Sequence, residues 1–465
     1  MEERYDGIII GFGKGGKTLA NNMANKGLKI ALIEKNPKMY GGTCINVACI
    51  PTKSLENSAK IVKKHNLNSF EEKDRLYKKA INKKEELITA LRKANFNKAD
   101  SKENITVITG TASFEDSNTI KILMEDTKET KIIKGDKIFI NTGTKPFIPN
   151  IEGVNDTKNI FTSETLMNLD KLPKELIIIG AGFIGQEFAS IYSNFGSKVT
   201  LLNNSSEILV NEDRDDVEEI LKIYHKKGIS LINEVKIKKV YNEEEKVTVE
   251  DSLGNIYKGD ALLLATGRQA NSKDLNLEKA GVETDERGFI KVLDNLQTIK
   301  ENIFALGDIN GGMQFTYISL DDYRIVFDNI FGDKKRKLSD RKNIPKSTFI
   351  DPAFSRVGLN IKKAKEEGFD ILVFKMPVAF IPRAKQIKQT EGFLKVIVDK
   401  KSEKILGGSF LFEGSSELIN FIKMAMDNDI SYKYLRDSIY THPTLIEGFN
   451  ELFTNAFLVE DITLQ

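Results

Sequence analysis

One pattern occurs twice in this chain and limits its architecture more than any other feature. Residues 5–10 are a short apolar run leading into Gly11, Gly13 and Gly16, a small-residue helix through Ala24, and a second apolar run closing at Glu34. Leu176 to Ile179 lead in the same way into Gly180, Gly182 and Gly185, a helix to about Phe195, and the run Val199 to Leu202 closing at Asn203. From first glycine to closing residue is 23 positions in both copies. In such a strand–turn–helix–strand unit the first glycine permits the tight turn, the second lets backbone approach a pyrophosphate, and the third brings helix and strand close together. The helix N-terminus then faces the phosphate charge. A lone Gly-x-Gly-x-x-Gly turn is weak evidence; two in matching context are strong.

The pattern predicts an α/β chain with two Rossmann-like dinucleotide-binding domains. Glu34 stands where a carboxylate holds ribose hydroxyls, so the first unit should take an adenine dinucleotide without a 2′-phosphate, such as FAD. At the equivalent place the second unit has Asn203, followed by Asn204, Ser205, Ser206 and Glu207. No carboxylate there repels a 2′-phosphate and no basic cluster attracts one, so NADH and NADPH both stay open. Two strands end in Thr-Gly, before Thr142-Gly143 and before Thr266-Gly267-Arg268, and another run, 303–306, leads into Gly307-Asp308. Residues 54–104 are rich in Lys, Glu and Asn with Leu87, Leu91 and Phe96 at helical spacing; they read as exposed helices whose charges form a solvated face. Beyond a basic linker the composition changes to alternating strands and closing helices, a separate α+β domain. The expected division is 1–150 for the first part of the FAD domain, 151–264 for the NAD(P) domain, 265–342 for the return to the FAD domain, and 343–465 for a C-terminal dimerisation domain.

Composition removes several classes of function. Lys plus Arg number 69 against 67 for Asp plus Glu, a formal charge of +2, so no bulk basic excess calls for nucleic acid or an anionic membrane. No apolar run approaches the roughly 20 residues of a membrane span. The opening Met-Glu-Glu-Arg passes directly into a strand without a leader pattern, which gives a cytoplasmic expectation.

Two cysteines cannot build a disulfide framework in 465 residues, yet Cys44 and Cys49 lie almost adjacent, in a stretch running from Gly41 to Pro51 and Lys53. In an unbroken helix their Cα atoms would be about 8–9 Å apart, beyond the ~7 Å limit for a bridge. A disulfide therefore requires a distorted first turn with Cys44 at its edge, and Pro51, which cannot donate to Val47, helps impose one. A helix N-terminus stabilises thiolates through its dipole, lowering their pKa and raising their reactivity at neutral pH. A zinc site would need four ligands, and only His65, His225 and His442 remain, so no metal is expected. His442 is followed by Pro443 and, five residues on, by Glu447, which can orient the imidazole across a first helical turn. Taken alone, a His-Pro before a helix is more often a capping feature.

Gly42-Thr43-Cys44 through Lys53, the two glycine units, Thr142-Gly143, Thr266-Gly267-Arg268, Gly307-Asp308 and His442-Pro443-Thr444 with Glu447 together resemble the flavoprotein disulfide reductases with a pyridine nucleotide site. The ordered set spans essentially the whole chain. Within that superfamily residues 12–20, Met39-Tyr40-Gly41-Gly42, 352–358 and Ile381-Pro382-Arg383-Ala384 are most similar to the reactive-chlorine-resistance reductases. That branch implies hypothiocyanous acid as substrate and has a link to Cu(II) reduction. Ala48 departs from the usual glycine before the second cysteine. The resemblance implies FAD held by Gly11, Gly13, Gly16, Glu34, Thr43, Thr142, Gly143 and Asp308, and NADH or NADPH held by Gly180, Gly182, Gly185, Asn203 and Gly267. It implies a redox-active Cys44–Cys49 disulfide with Cys44 as the exposed nucleophile and Cys49 against the flavin, a Lys53–Glu187 ion pair beside the flavin, and a homodimer in which His442, held by Glu447, serves the partner's site. Mercuric reduction is disfavoured because the sequence closes from Glu460 to Gln465 without a cysteine pair. Dihydrolipoamide dehydrogenase is the nearest alternative, and a flavin-bound redox sensor the alternative of another class.

Overall fold

The opening apolar run becomes a central strand because it is flanked on both sides. In Glu3–Ile10, Ile8 stands opposite Ala31 of Ile30–Glu34 and opposite Ile138 of Thr130–Ile140, all parallel. This computed structural model describes residues 3–65, 67–454 and the backbone of 456–457; the closing stretch Glu460 to Gln465 lies outside the described residues. Strands covered on both faces need continuous apolar sequence, and Ile8, Ile9, Ala31 and Leu32 are fully buried. Ile105–Phe114 extends the sheet beyond Ile30–Glu34, and Ile303–Ala305 extends it beyond Thr130–Ile140. That last pairing returns the chain to the first domain and sets Gly307-Asp308 near the Gly11 turn.

The second glycine unit builds an all-parallel sheet in the order Ser230–Ile232, Lys198–Leu202, Glu175–Ile179, Ala261–Leu264, Ile160–Thr162. The two sheets repeat one local device. Gly11 and Gly180 have φ of +104° and +105°, and a Cβ on them would stand 2.3 Å from the Asn141 carbonyl and 2.4 Å from the Ala265 carbonyl. Each Thr-Gly segment thus crosses directly over a glycine turn. An antiparallel sheet of Ile237–Glu243, Lys246–Asp251 and Ile256–Gly259, which periodicity did not predict, covers the second sheet through Val240, Val247 and Val249.

The C-terminal part is a six-stranded antiparallel sheet, in the order Lys346–Thr348, Phe354–Gly358, Ile405–Leu411, Phe393–Asp399, Ile371–Pro377, Ala456–Phe457. The α/β and α+β expectation holds. Buried charge joins this sheet to the second domain: the Lys395 ammonium lies 2.9, 2.9 and 2.6 Å from Asp213, Asp215 and Asp216. Those three carboxylates are the one group of metal-ligand type among the described residues close enough to share a metal ion, and the Lys395 ammonium stands among them.

Four helices position the site: α1 (Lys14–Ala24), α2 (Thr43–Asn46), α3 (Cys49–Lys64) and α4 (Phe70–Asp100). The solvated face expected of 54–104 holds for most charged residues of α4, but the helix is not exposed all round and Lys84 departs from it. α4 buries Tyr77, Ala80, Ile81, Lys84 and Ile88, whereas Leu87 is exposed. Lys84 is buried because Nζ donates to the Met167 carbonyl at 2.6 Å and Asn168 Oδ1 at 3.0 Å across the domain boundary, partners that a charge pattern does not reveal.

Candidate functional site

Helix α2 ends at Asn46, and Pro51, which has no amide to donate to the Val47 carbonyl, keeps the following helix from joining it in one continuous ladder. The chain kinks through Val47 and Ala48 and restarts as α3 with Cys49 as first residue. Ala48 has φ −139°, outside the left-handed region that favours glycine, so its methyl replaces the usual hydrogen there without that penalty. The kink brings the two free thiols within hydrogen-bond reach. Gly42, at φ +82°, seats the loop against the first glycine turn; a Cβ there would stand 2.7 Å from Gly13 Cα.

The two thiols have unlike surroundings. The neighbouring Cys44 thiol draws the Cys49 pKa down to about 6, assisted by the Thr316 hydroxyl at 3.4 Å and the Lys53 charge, against burial, which pushes it up. Cys44 moves up, first through its hydrogen bond with Cys49 and then through burial. The Thr316 hydroxyl and the Lys53 charge therefore favour negative charge at the first residue of α3. Helix-dipole reasoning placed both thiols at a helix start but could not tell them apart.

Lys53 Nζ lies 2.6 Å from Glu187 Oε2, joining α3 to Phe183–Phe195, the helix of the second glycine unit. Glu187 Oε1 accepts from the Phe349 amide at 2.9 Å, and the Lys53 ammonium sits 4.3 Å above the Phe349 ring. One ion pair thus ties together all three parts of the chain. Asn141 does similar work at the first turn: its Oδ1 accepts from the Gly16 amide at 2.9 Å, and its Nδ2 donates to the Leu306 carbonyl.

A cavity of about 1770 Å³ runs past both thiols, both glycine turns and both Thr-Gly segments. Glu34, Thr43, Thr142, Gly143, Lys53, Glu187, Gly267 and Asp308 line it. Glu34 is buried; Oε2 accepts from the Phe12 amide at 3.1 Å, and desolvation raises its pKa. Asp308 is likewise pushed up by burial, with Arg268 opposing, and accepts from Thr144 at 3.3 Å.

Two observations test whether these residues fit a dinucleotide. Thr142 Oγ1 is buried and has no hydrogen-bond partner among the described residues. A Cβ on Gly143, Gly182 or Gly267 would meet nothing within 4 Å, although all three line the cavity, so they leave a smooth cradle. An unmet polar atom and bare backbone suit a large phosphate-bearing ligand.

Not every predicted residue reaches the cavity. Gly16, Gly180 and Gly185 act in turn geometry; a Cβ on Gly185 would stand 1.9 Å from the Gly180 carbonyl. Asn203 is buried, and Nδ2 donates to the carbonyls of Ser205 and Glu207 at 3.0 and 3.1 Å and to Asn233 Oδ1 at 2.9 Å, so it shapes the loop after its strand. His442 and Glu447 lie in the C-terminal domain away from the cavity. Glu447 Oε2 stands 2.7 Å from His442 Nδ1, and its Oε1 accepts from the Thr444 amide at 3.2 Å. The link crosses a non-helical turn rather than the helical one expected, because Glu447 precedes the helix Gly448–Leu452. Thr316, Phe183 and Phe349 were missed: none carries a motif, although Phe183, exposed directly after Gly182, could have been flagged as an apolar residue at the mouth of a nucleotide turn.

The family model described as pyridine nucleotide-disulphide oxidoreductase matches residues 5–322, and the model of that family's dimerisation domain matches residues 344–453. This chain belongs to the pyridine nucleotide-disulfide oxidoreductases. It is 44% identical over 97% of its length, and 99% of the other chain, to the probable pyridine nucleotide-disulfide oxidoreductase RclA of Escherichia coli. A solved structure of RclA, described as an HOCl-induced flavoprotein disulfide reductase, superposes with a TM-score of 0.91 at 44% identity, covering 97% of this chain and 99% of that one. A dihydrolipoyl dehydrogenase of Mycobacterium tuberculosis is 31% identical over 97% of each chain. The protein is accordingly an oxidoreductase of the flavoprotein disulfide reductase kind, its cofactors are FAD and NAD(P)H, and it carries the family's dimerisation domain. Among the described residues no helix is long and apolar enough to cross a membrane.

Proposed function

We propose that this oxidoreductase works as a cytoplasmic homodimer in defence against oxidative stress, reducing hypothiocyanous acid with NAD(P)H through the Cys44–Cys49 pair. The observation that carries the reading is the placing of the chain's only two thiols, in mutual hydrogen-bond reach, on a cavity that also touches both glycine turns. The likeness to RclA, described as HOCl-induced, supports a small reactive oxidant as the class of substrate.

Gly11, Gly13, Gly16, Glu34, Thr43, Thr142, Gly143 and Asp308 would hold FAD, and Gly180, Gly182, Gly185 and Gly267, with the loop that Asn203 orders, would hold NAD(P)H. The divisions at 150, 264 and 342 follow that assignment. Bound FAD supplies two-electron exchange between the nicotinamide and a disulfide. The protein's own residues supply the thiols, their protons and their alignment. Lys53, fixed by Glu187, keeps a positive charge beside the Cys49 thiolate.

Reaction with the oxidant starts from Cys49 as thiolate and Cys44 as thiol. The partner's His442, with Nδ1 held by Glu447, takes the Cys44 proton. Cys44 Sγ attacks the sulfur of hypothiocyanous acid, and hydroxide leaves as water with that proton. The Cys49 thiolate then attacks Cys44 Sγ, closing the disulfide and releasing thiocyanate. Dithiol monoanion and hypothiocyanous acid thus give disulfide, thiocyanate and water, balanced in charge and electrons.

Reduced enzyme mixed anaerobically with one equivalent of hypothiocyanous acid should lose both thiols and release one thiocyanate per site. Persistence of both thiols would refute the reading.

A further inference from the structure

One buried carboxylate behind the cavity wall has no role so far. It belongs to the helix Thr316–Phe331, which places polar side chains at three-residue intervals along one side. Thr316 Oγ1 lies 3.4 Å from Cys49 Sγ, Ser319 Oγ accepts from the Gly15 amide at the start of α1 at 3.1 Å, and Asp322 Oδ2 accepts from the Gly307 amide at 2.6 Å. One helix thus touches the thiol pair, the first glycine turn and the Gly307-Asp308 turn. Gly307 has φ +79°, and a Cβ on it would stand 2.9 Å from Ser319 Oγ, so the turn sits directly on this helix. Asp308, the next residue, opens the short turn Asp308–Asn310 and lines the cavity.

The Asp322 side chain is entirely buried, and Oδ2 also accepts from Asn310 Nδ2 at 3.1 Å. Its Oδ1 accepts from Arg341 Nη2, while Arg341 Nε donates to Asp321 Oδ2 at 2.8 Å, so one guanidinium bridges two neighbouring carboxylates. Arg341 comes from the segment that leads into the C-terminal sheet. Two residues on, Asn343 Nδ2 donates to Asp427 Oδ1 at 3.0 Å, at the end of the helix Ser415–Asp427, so the segment is fixed on both sides. The charged groups around Asp322 are Arg341, Asp321 on its own helix and Asp308 on the turn. Two are carboxylates, and Arg341 is the cation paired with Asp322 among the described residues. Without it a buried carboxylate would stand uncompensated. An ionised acceptor also holds an amide more strongly than a neutral one.

We propose that Arg341 and Asp322 are positioning residues for FAD: Arg341 keeps the buried Asp322 carboxylate charged, and that charge clamps the Gly307 amide so that Asp308 holds its place on the cavity wall. The clamp makes the hold on the cofactor depend on the segment that joins the C-terminal sheet to the rest of the chain. The inference rests on the reading of Asp308 as an FAD-holding residue.

The test follows release of FAD from the diluted holoenzyme, by the fluorescence of the freed cofactor, from about pH 9 to about pH 6. Asp322→Asn should release FAD at least about tenfold faster than the parent at every pH. Arg341→Met should release it faster as pH falls, because Asp322 without its cation takes up a proton and loosens its hold on Gly307. The double variant keeps Asp308 but has no carboxylate at 322, so it should match Asp322→Asn within about twofold and lack the added pH dependence. Arg341→Lys keeps a cation and should stay within about threefold of the parent. Should Arg341→Met fail to fold, Arg341→Gln is read in its place, and Asp322→Asn, which leaves Arg341 paired to Asp321, is decisive by itself. Release at the parent rate in Asp322→Asn, a pH dependence in Arg341→Met no steeper than the parent's, or effects that multiply in the double variant would overturn the proposal. Failure of the underlying reading is seen separately, as Asp308→Ala releasing FAD at the parent rate.

Discussion

Removing the sulfhydryl of Cys44 tests directly whether Cys49 is the resting thiolate. The sequence has two cysteines, so Cys44→Ala and Cys44→Ser each leave Cys49 as the sole thiol, without and with a hydroxyl donor beside it. In the intact pair Cys49 is lowered to about 6, with the hydrogen bond from Cys44 as the largest cause. A hydrogen bond to a charged acceptor contributes about 1.5–3 kcal/mol, and about 1.36 kcal/mol corresponds to one pH unit. Cys44→Ala should therefore raise the Cys49 midpoint by about 1–2 units, because only Thr316 and Lys53 then oppose burial. Cys44→Ser should stay within about half a unit of the intact pair, since the hydroxyl replaces the donor. The sign follows from the lowered pKa. In the intact pair the thiolate is present above about pH 6 and is lost as pH falls through that value; in Cys44→Ala the loss comes at higher pH. The assay is the ultraviolet thiolate absorbance of each FAD-loaded variant across pH, checked by the rate of alkylation. A Cys44→Ala midpoint at or below that of Cys44→Ser would refute the reasoning.

Gly182 has φ −71° and open space around its missing Cβ, so Gly182→Val should fold with an unchanged melting temperature and full FAD content while raising KM for NAD(P)H at least about tenfold. An unchanged KM would remove Gly182 from the nucleotide site. Inactive Cys44→Ser and His442→Ala subunits, mixed under conditions of subunit exchange, should regain activity, because one site of each heterodimer then combines a wild-type Cys44 with a wild-type His442. Efficient exchange without recovery would place His442 outside the partner's site.

The sequence is most legible where the backbone itself is constrained. Gly11 and Gly180 announce the two parallel sheets because carbonyls cross within 2.4 Å of where their Cβ atoms would be, so no other residue serves. Pro51 announces the kink between the cysteines because it has no amide to donate. Features that depend on contacts between distant segments are silent. The buried Lys84 reads as a solvated lysine until the Met167 carbonyl is seen beside it. The lowered pKa of Cys49 depends in part on Thr316, some 267 residues beyond Cys49, and on Lys53. The three-stranded sheet of 237–259 was missed although Val247 and Val249 alternate with Lys246, Thr248 and Glu250, the pattern of a half-buried strand, within a segment dense in Lys and Glu.

The central claim is that oxidant is reduced through Cys44 and Cys49 and that the preferred oxidant is small and electrophilic. The measurement is kcat/KM for hypothiocyanous acid, lipoamide and glutathione disulfide, each with NADH and with NADPH, on the wild type and on Cys44→Ser. The account predicts the highest value for hypothiocyanous acid and its loss in Cys44→Ser. Faster turnover of either disulfide, or undiminished reduction of hypothiocyanous acid by Cys44→Ser, would contradict it.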